Sequence, residues 1–487
     1  MPEQADRRDR AFVLAVIAYF AAQAALRTLL GGALEVDEAE MVLLADGWRL
    51  GYGPQLPLYN WLQVAAFELF GVTTLALTGL KNAVLCLAYL LLFAGLRRVV
   101  PFGQAVAGTL ALALLPNILW EFQRASTHSI ALLAAMTGTI ALFLQALRAG
   151  SWPAHLLLGL ALGLGGLAKF NYWLMPVALL AAALSIRDLR AGLRPMRLLA
   201  ATGVAVAIVA WPYLWIVRHP SLGLASASKL YRPDTALPAF VEGVAEAAGG
   251  AALGLLIPAT VAIAFRLGRA GRTAGPTPWP ARLLLRAGAV AFGLTLAGIV
   301  AGNVSDIHPR WLVPVFCLVA PGLTIAAAHG ATPVGTRRLA GFAGLLCVLT
   351  LAGMAELRLN GRATGSIDFR PLAEAIAPLT ADGTPVITEY HLGGNLRFLI
   401  PDLSVIVPLQ TDRPTKSPDR AVVVWAQADT TEASPDAAAI LTALGYAEVA
   451  ASARVVGKGE VKLPYRYAPH QTFPVRFLAV ELGNVPD

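Results

Sequence analysis

The chain has little charge: Asp, Glu, Lys and Arg make up 14% of its 487 residues, where a soluble globular protein carries about 25%. An ordinary water-soluble enzyme is excluded on that ground. Its three cysteines, Cys86, Cys317 and Cys347, each sit inside an apolar run, so neither a disulfide scaffold nor a thiolate metal cluster is available. The seven histidines are scattered without metal-ligand spacing. No short repeat recurs, and long apolar runs dominate, which removes disorder, collagen and coiled coil. What is present is apolar: 57% of residues are hydrophobic and the mean hydropathy is +0.63. The composition is that of a polytopic α-helical membrane protein.

Spans of roughly 20 apolar residues are expected near 11–31, 73–96, 103–120, 127–147, 154–168, 170–186, 198–217, 244–265, 287–302, 310–328 and 337–355. Two of them are short and share a boundary around Lys169. Residues 57–71 read instead as a helix lying in the interface. About eleven spans place the termini on opposite sides. With a cytoplasmic N-terminus, the inner loops hold seventeen arginines and the outer loops seven Lys or Arg residues before the tail, as the positive-inside rule requires. The arginines thus report topology in a bacterial inner membrane, and nucleic acid is not an expected partner. The first segment reads as a signal anchor.

Net charge divides unevenly. Residues from Arg358 onward carry 12 Lys and Arg against 14 Asp and Glu. Here short β-branched runs (PVITEYH, SVIVPL, AVVVWAQ) alternate with helical stretches near 370–380 and 435–444. The expected organisation is a membrane domain over 1–357 and a small α/β extracytoplasmic domain over 358–487.

Outer loops collect the carboxylates, including Glu121, Asp234 and Asp306. The first of these loops crowds Glu35, Asp37, Glu38 and Glu40 into six residues beyond a span. Adjacent carboxylates repel and are costly near hydrocarbon. The cluster is therefore either a solvated loop or a site where a carboxylate takes a proton from an acceptor hydroxyl. Trp48, Tyr52, Tyr59 and Trp61 follow, suited to lining a sugar or to an interfacial aromatic belt.

Asp37-Glu38, about twenty residues before Pro57-Leu58-Tyr59 and Trp61, resembles the first-loop signature of glycosyltransferase family 39. That family includes protein O-mannosyltransferases and the aminoarabinose transferase of lipid A, and has the GT-C fold. The resemblance implies Asp37 as catalytic carboxylate with Glu38 beside it, and Glu40, Gln55, Tyr59 and Trp61 toward acceptor and sugar. Leu56-Pro57 stands where the family often has Pro-Pro. Gln55 stands where the aminoarabinose transferases carry a lysine, which argues against aminoarabinose as the sugar.

Three further segments are similar to the family's outer loops. PNILWEFQRASTHSI (116–130) sets Arg124 and His128 one helical turn apart, where both can serve as phosphate donors; His128 is equally readable as a packed histidine. GLAKFNYW (167–174) places Lys169 between apolar helices, and NVSDIHPRWLVP (303–314) places Arg310 before a span, to grip a phosphate or to snorkel. The resemblance implies an inverting transferase that moves a monosaccharide from a polyprenyl phosphate to a periplasmic-face acceptor. That acceptor is lipid A or another envelope glycolipid, with a protein hydroxyl as the alternative. No cofactor is required, and a divalent metal at Asp37 and Glu38 stays open. A secondary transporter is the rival class; against it, Lys81 and Arg27 are the clear charged residues within spans, and no half-to-half repeat is visible. GLALGLGGLAK (159–169) is no phosphate loop, lacking the Ser or Thr after Lys; Gly159, Gly163 and Gly166 read as helix-packing positions.

Overall fold

The computed structural model describes residues 2–232, 237–267, 275–360, 363–408, 418–426, 437–444, 446–450 and 453–482. Arg269, Arg272 and Asp234 lie outside them. Every expected span is helical. Among the described residues, eight helices are long and apolar enough to cross a membrane: Asp6–Leu30, Thr74–Arg97, His128–Ala149, Pro195–Arg218, Ala239–Phe265, Trp279–Gly302, Pro309–Ala328 and Pro333–Leu359. The expected span at 103–120 is a pair, Phe102–Leu114 and Asn117–Ala125, bent by 71°. Pro116 stands at the break, where a missing N–H and the clash of its ring end the first helix. Trp152–Gly166 and Phe170–Ser185 are the two shorter apolar helices. Lys169 lies at the junction between them, in extended backbone ahead of a turn over Phe170–Trp173.

The chain folds as two compact units. One comprises Met1–Ala24, Gln55–Tyr59 and Gly79–Leu351; the other comprises Ala25–Pro54, Asn60–Thr78 and Ala352–Asp487.

Within the first unit, glycines allow helices to pack closely. A β-carbon at Gly159 would meet Ala201, one at Gly163 would meet Ile208, and one at Gly166 would meet Val209. These three share a face of Trp152–Gly166, which packs on Pro195–Arg218, as the small-residue spacing predicts. His128–Ala149 and Pro309–Ala328 run buried through this unit, whereas Ala239–Phe265 and Pro333–Leu359 leave most of their surface open.

The second unit contains a five-stranded sheet among its described residues: β1 (Val386–Ile387), β2 (Val405–Ile406), β3 (Arg420–Ala426), β4 (Ala453–Tyr465) and β5 (Ala468–Leu482), in the order β2-β1-β3-β5-β4. The first three strands are parallel, and β5 pairs antiparallel with β3 and β4. The run PVITEYH is strand only at Val386–Ile387; Tyr390 and His391 already belong to a helix, Tyr390–Leu399. The expected helix near 370–380 is Arg370–Thr380, and that near 435–444 is Ala437–Ala443. Ala33 and Leu43 of the first loop join Leu392, Leu396, Val405 and Val422 in one apolar core. The segment expected in the interface is helical over Leu58–Phe70.

Candidate functional site

The four clustered carboxylates have different fates. The helix Val36–Leu44 begins at Glu35, and Glu38 reaches back to accept the Glu35 backbone N–H at 3.1 Å, closing a capping box. Glu38 is 2% exposed and also accepts from the Arg27 guanidinium at 2.8 Å. Glu35 is buried too; it pairs with Arg358 at 3.6 Å and accepts from the Thr364 hydroxyl at 3.0 Å. The expectation of a solvated loop therefore fails for Glu35. Arg27 and Arg358 both donate to the carbonyls of Gly31 and Ala33. Two guanidiniums of opposite chain regions thus clamp the turn ahead of the helix, and two carboxylates neutralise them.

Asp37 and Glu40 remain half-exposed. They lie three residues apart, on one helical face. Asp37 occupies the first turn, where the helix dipole favours a negative charge. Glu40 lies near Tyr390, whose phenol is pushed up first by burial and then by that carboxylate. Among the described residues no group of three or more His, Cys, Asp or Glu is placed to hold a metal ion.

The loop aromatics fasten the loop itself. The Tyr52 hydroxyl donates to Gly47 O at 2.6 Å and accepts from Arg49 N. Trp48 donates to Glu68 at 2.8 Å, and Trp61 donates to Arg49 O at 2.7 Å. The indole N–H of Trp61, expected toward the acceptor, is thus engaged with backbone.

The helix Tyr390–Leu399 holds the segment ahead of Val36–Leu44. Leu34 N donates to Asn395 Oδ1 at 2.8 Å, and Leu34 O accepts from Asn395 Nδ2 at 3.2 Å and from His391 Nε2 at 3.1 Å. Burial lowers the His391 pKa, against the opposing charges of Glu389 and Glu35. A folded-state value below the unfolded value of about 6.5 means that neutral imidazole is favoured in the fold. Its contribution is present above about pH 6.5 and is lost as pH falls below that. The unfolding midpoint should therefore fall more between about pH 7.5 and 5.5 in the wild type than in His391→Gln. Parallel slopes for the two proteins would contradict this.

In the other unit, the segments expected in outer loops converge through hydrogen bonds. The buried His128 ring contacts Thr127 Oγ1 at 3.1 Å and lies 5.7 Å from the Tyr59 ring. Next to it, Ser129 Oγ accepts from Lys169 Nζ at 2.9 Å. Two residues beyond the lysine, Asn171 Nδ2 donates to Trp311 O at 3.1 Å, tying that turn to the one that carries Arg310. Leu58 N donates to Leu167 O at 3.1 Å. The structure thus joins the segments bearing His128, Tyr59, Lys169 and Arg310. Arg310 is exposed and makes no ion pair with another described residue. Arg124 pairs with Glu121 at 3.0 Å, with both side chains about two-fifths exposed. Gln55 is half-buried.

Sequence reasoning missed part of this network. Lys81, buried in Thr74–Arg97, donates to Gln123 O at 3.3 Å, and the Gln123 amide donates to Asn82 Oδ1 at 3.0 Å. The one available signal was a lysine inside an apolar span, which by itself marks a polar interior. His391 and Asn395 carried no signal at all, because their partner lies about 360 residues earlier.

The family profile described as dolichyl-phosphate-mannose-protein mannosyltransferase matches residues 53–216. Two curated relatives from Rhizobium johnstonii, the lipopolysaccharide core galacturonosyltransferases RgtA and RgtB, are each 31% identical. RgtA aligns over 84% of this chain and 84% of its own length, RgtB over 83% and 84%. ArnT from Cupriavidus metallidurans is similar in structure at 16% identity. Its apo form gives a TM-score of 0.61 over 96% of this chain and 98% of that one. The form bound to undecaprenyl phosphate gives 0.59 over 98% of both.

Proposed function

We propose that this chain, which belongs to glycosyltransferase family 39 and has the GT-C membrane fold, transfers a hexuronic acid from a polyprenyl phosphate to the lipopolysaccharide core. It is a multi-pass membrane enzyme. The observation that carries the choice of sugar and acceptor is the near full-length match to RgtA and RgtB, both lipopolysaccharide core galacturonosyltransferases. Undecaprenyl phosphate in ArnT supports the polyprenyl donor.

An acceptor oxygen attacks the anomeric carbon as the bond from that carbon to the phosphate oxygen breaks, which inverts configuration. Asp37 takes the acceptor proton, a role that its half-exposed carboxylate can fill and that the buried Glu35 and Glu38 fill poorly. Glu38 positions the helix through Arg27 and the capping box, while Glu40 orients the acceptor. The departing polyprenyl phosphate gains charge, which Lys169, Arg124 and Arg310 stabilise. An exposed ion pair is worth little, so Arg124 can exchange Glu121 for phosphate. His128 supports this group through Tyr59 and Thr127.

The arginine distribution supports a cytoplasmic N-terminus. Residues 358–487 then form a periplasmic domain, and residues 1–357 a catalytic membrane domain. Mass spectrometry of lipopolysaccharide from a strain lacking this protein tests the reading. Core oligosaccharide should lose the mass of one hexuronic acid, and complementation should restore it. An unchanged core would defeat the assignment.

A further inference from the structure

The second unit holds the carboxylate helix at three points. Ahead of it, Asn395 engages both backbone groups of Leu34, and its Nδ2 also donates to His391 O at 2.9 Å. Asn395 and Leu34 are 3% and 1% exposed, so water cannot replace these bonds. At mid-helix, Gly394 lies against the Ala39 backbone, where any β-carbon would overlap it. Near the helix end, Leu43 enters the apolar core that also contains Leu392 and Leu396. At about 100° per residue, Ala39 and Leu43 lie on the face opposite Asp37. The helix is therefore fastened along the side away from Asp37, with Glu40 between the two, near Tyr390.

We infer that Asn395 is a positioning residue for sugar transfer: through Leu34 it sets where the Asp37 carboxylate stands, with Gly394 fixing the depth of the helix. This makes Tyr390–Leu399, in the C-terminal domain, part of the acceptor-activating machinery. The inference rests on the proposed role of Asp37 as base. An amide is suited to the task because one side chain can satisfy a donor and an acceptor together. The helix has only nine residues, too short to hold its place without such partners.

The test uses the purified full-length protein and measures kcat, donor KM and thermal unfolding. Asn395→Leu removes both bonds to Leu34. Gly394→Ala removes no polar contact but pushes on Ala39. Each should lower kcat about ten- to a hundred-fold, since small displacements of a catalytic group are costly. KM for the polyprenyl-phosphate sugar should change less than about two-fold. Val423→Ala, in the sheet's other apolar core, should lower the unfolding midpoint and leave kcat within about two-fold. Wild-type kcat in both Asn395→Leu and Gly394→Ala would overturn the inference, as would an equal loss of kcat in Val423→Ala. Should Asn395→Leu fail to fold, Gly394→Ala against Val423→Ala decides alone. Asp37→Asn, assayed alongside, separates the two levels. If it is inactive while the positioning variants are fully active, only the inference fails; if it is active, the role of Asp37 fails and the inference with it.

Discussion

Asp37→Asn is expected to lose about 10²–10⁴-fold in transfer rate, the range for removing a general base, with donor binding retained. The substitution preserves side-chain size and the helix start while abolishing the proton acceptor. Glu40→Gln should cost far less. Glu35→Gln should fail differently. It removes the charge that offsets Arg358 inside the protein, and breaking a buried pair is strongly destabilising. Its loss should appear in thermal unfolding before it appears in kcat. Near-wild-type transfer in both Asp37→Asn and Asp37→Ala would take Asp37 out of the chemistry. One exception is built into the mechanism: a phosphate acceptor is already ionised and needs no base. A mild effect confined to such an acceptor would reassign Asp37 to orientation.

The second large effect is expected at Lys169. Its ammonium is held by Ser129 Oγ at 2.9 Å, on a turn tied to the Arg310 segment. Charge placed in advance where charge develops is worth about 10²–10³-fold in kcat per donor. Lys169→Gln should show a loss of that order. Arg310→Lys should instead weaken donor binding, because an ammonium cannot reproduce a bidentate guanidinium contact with phosphate. Isothermal titration with polyprenyl-phosphate sugar, beside single-turnover rates, separates the two. Normal donor affinity in Arg310→Lys would reassign Arg310 to membrane anchoring.

The helices were legible because spans are written in local composition. The break at Lys169 falls where the apolar pattern weakens, whereas 103–120 was expected as one span and its bend at Pro116 went unread. The acidic cluster was legible as a cluster, but its internal division was not. Which carboxylates are buried depends on which arginines reach them. Arg27 is eleven residues from Glu38, within range of a sequence argument, since a charged residue at a span end invites a partner. Arg358 is more than three hundred residues from Glu35, and only the fold brings them together. The β4–β5 hairpin went unread although its alternation is visible in hindsight: β4 exposes much of its length, so its apolar signal is thin. The hydrogen bond from the Trp61 indole N–H to Arg49 O was equally unread, since nothing in the motif announces a backbone partner twelve residues away.

The central claim is transfer of an acidic sugar from a polyprenyl phosphate onto the lipopolysaccharide core, with inversion. Its most direct test is reconstitution of the purified protein with polyprenyl-phosphate galacturonic acid and a core acceptor lacking that residue, followed by mass and anomeric analysis of the product. One hexuronic acid should be added per site, with the anomeric configuration opposite to that of the donor, and little transfer should occur from the corresponding neutral hexose donor. Product with retained configuration, or equal use of the neutral donor, would contradict it.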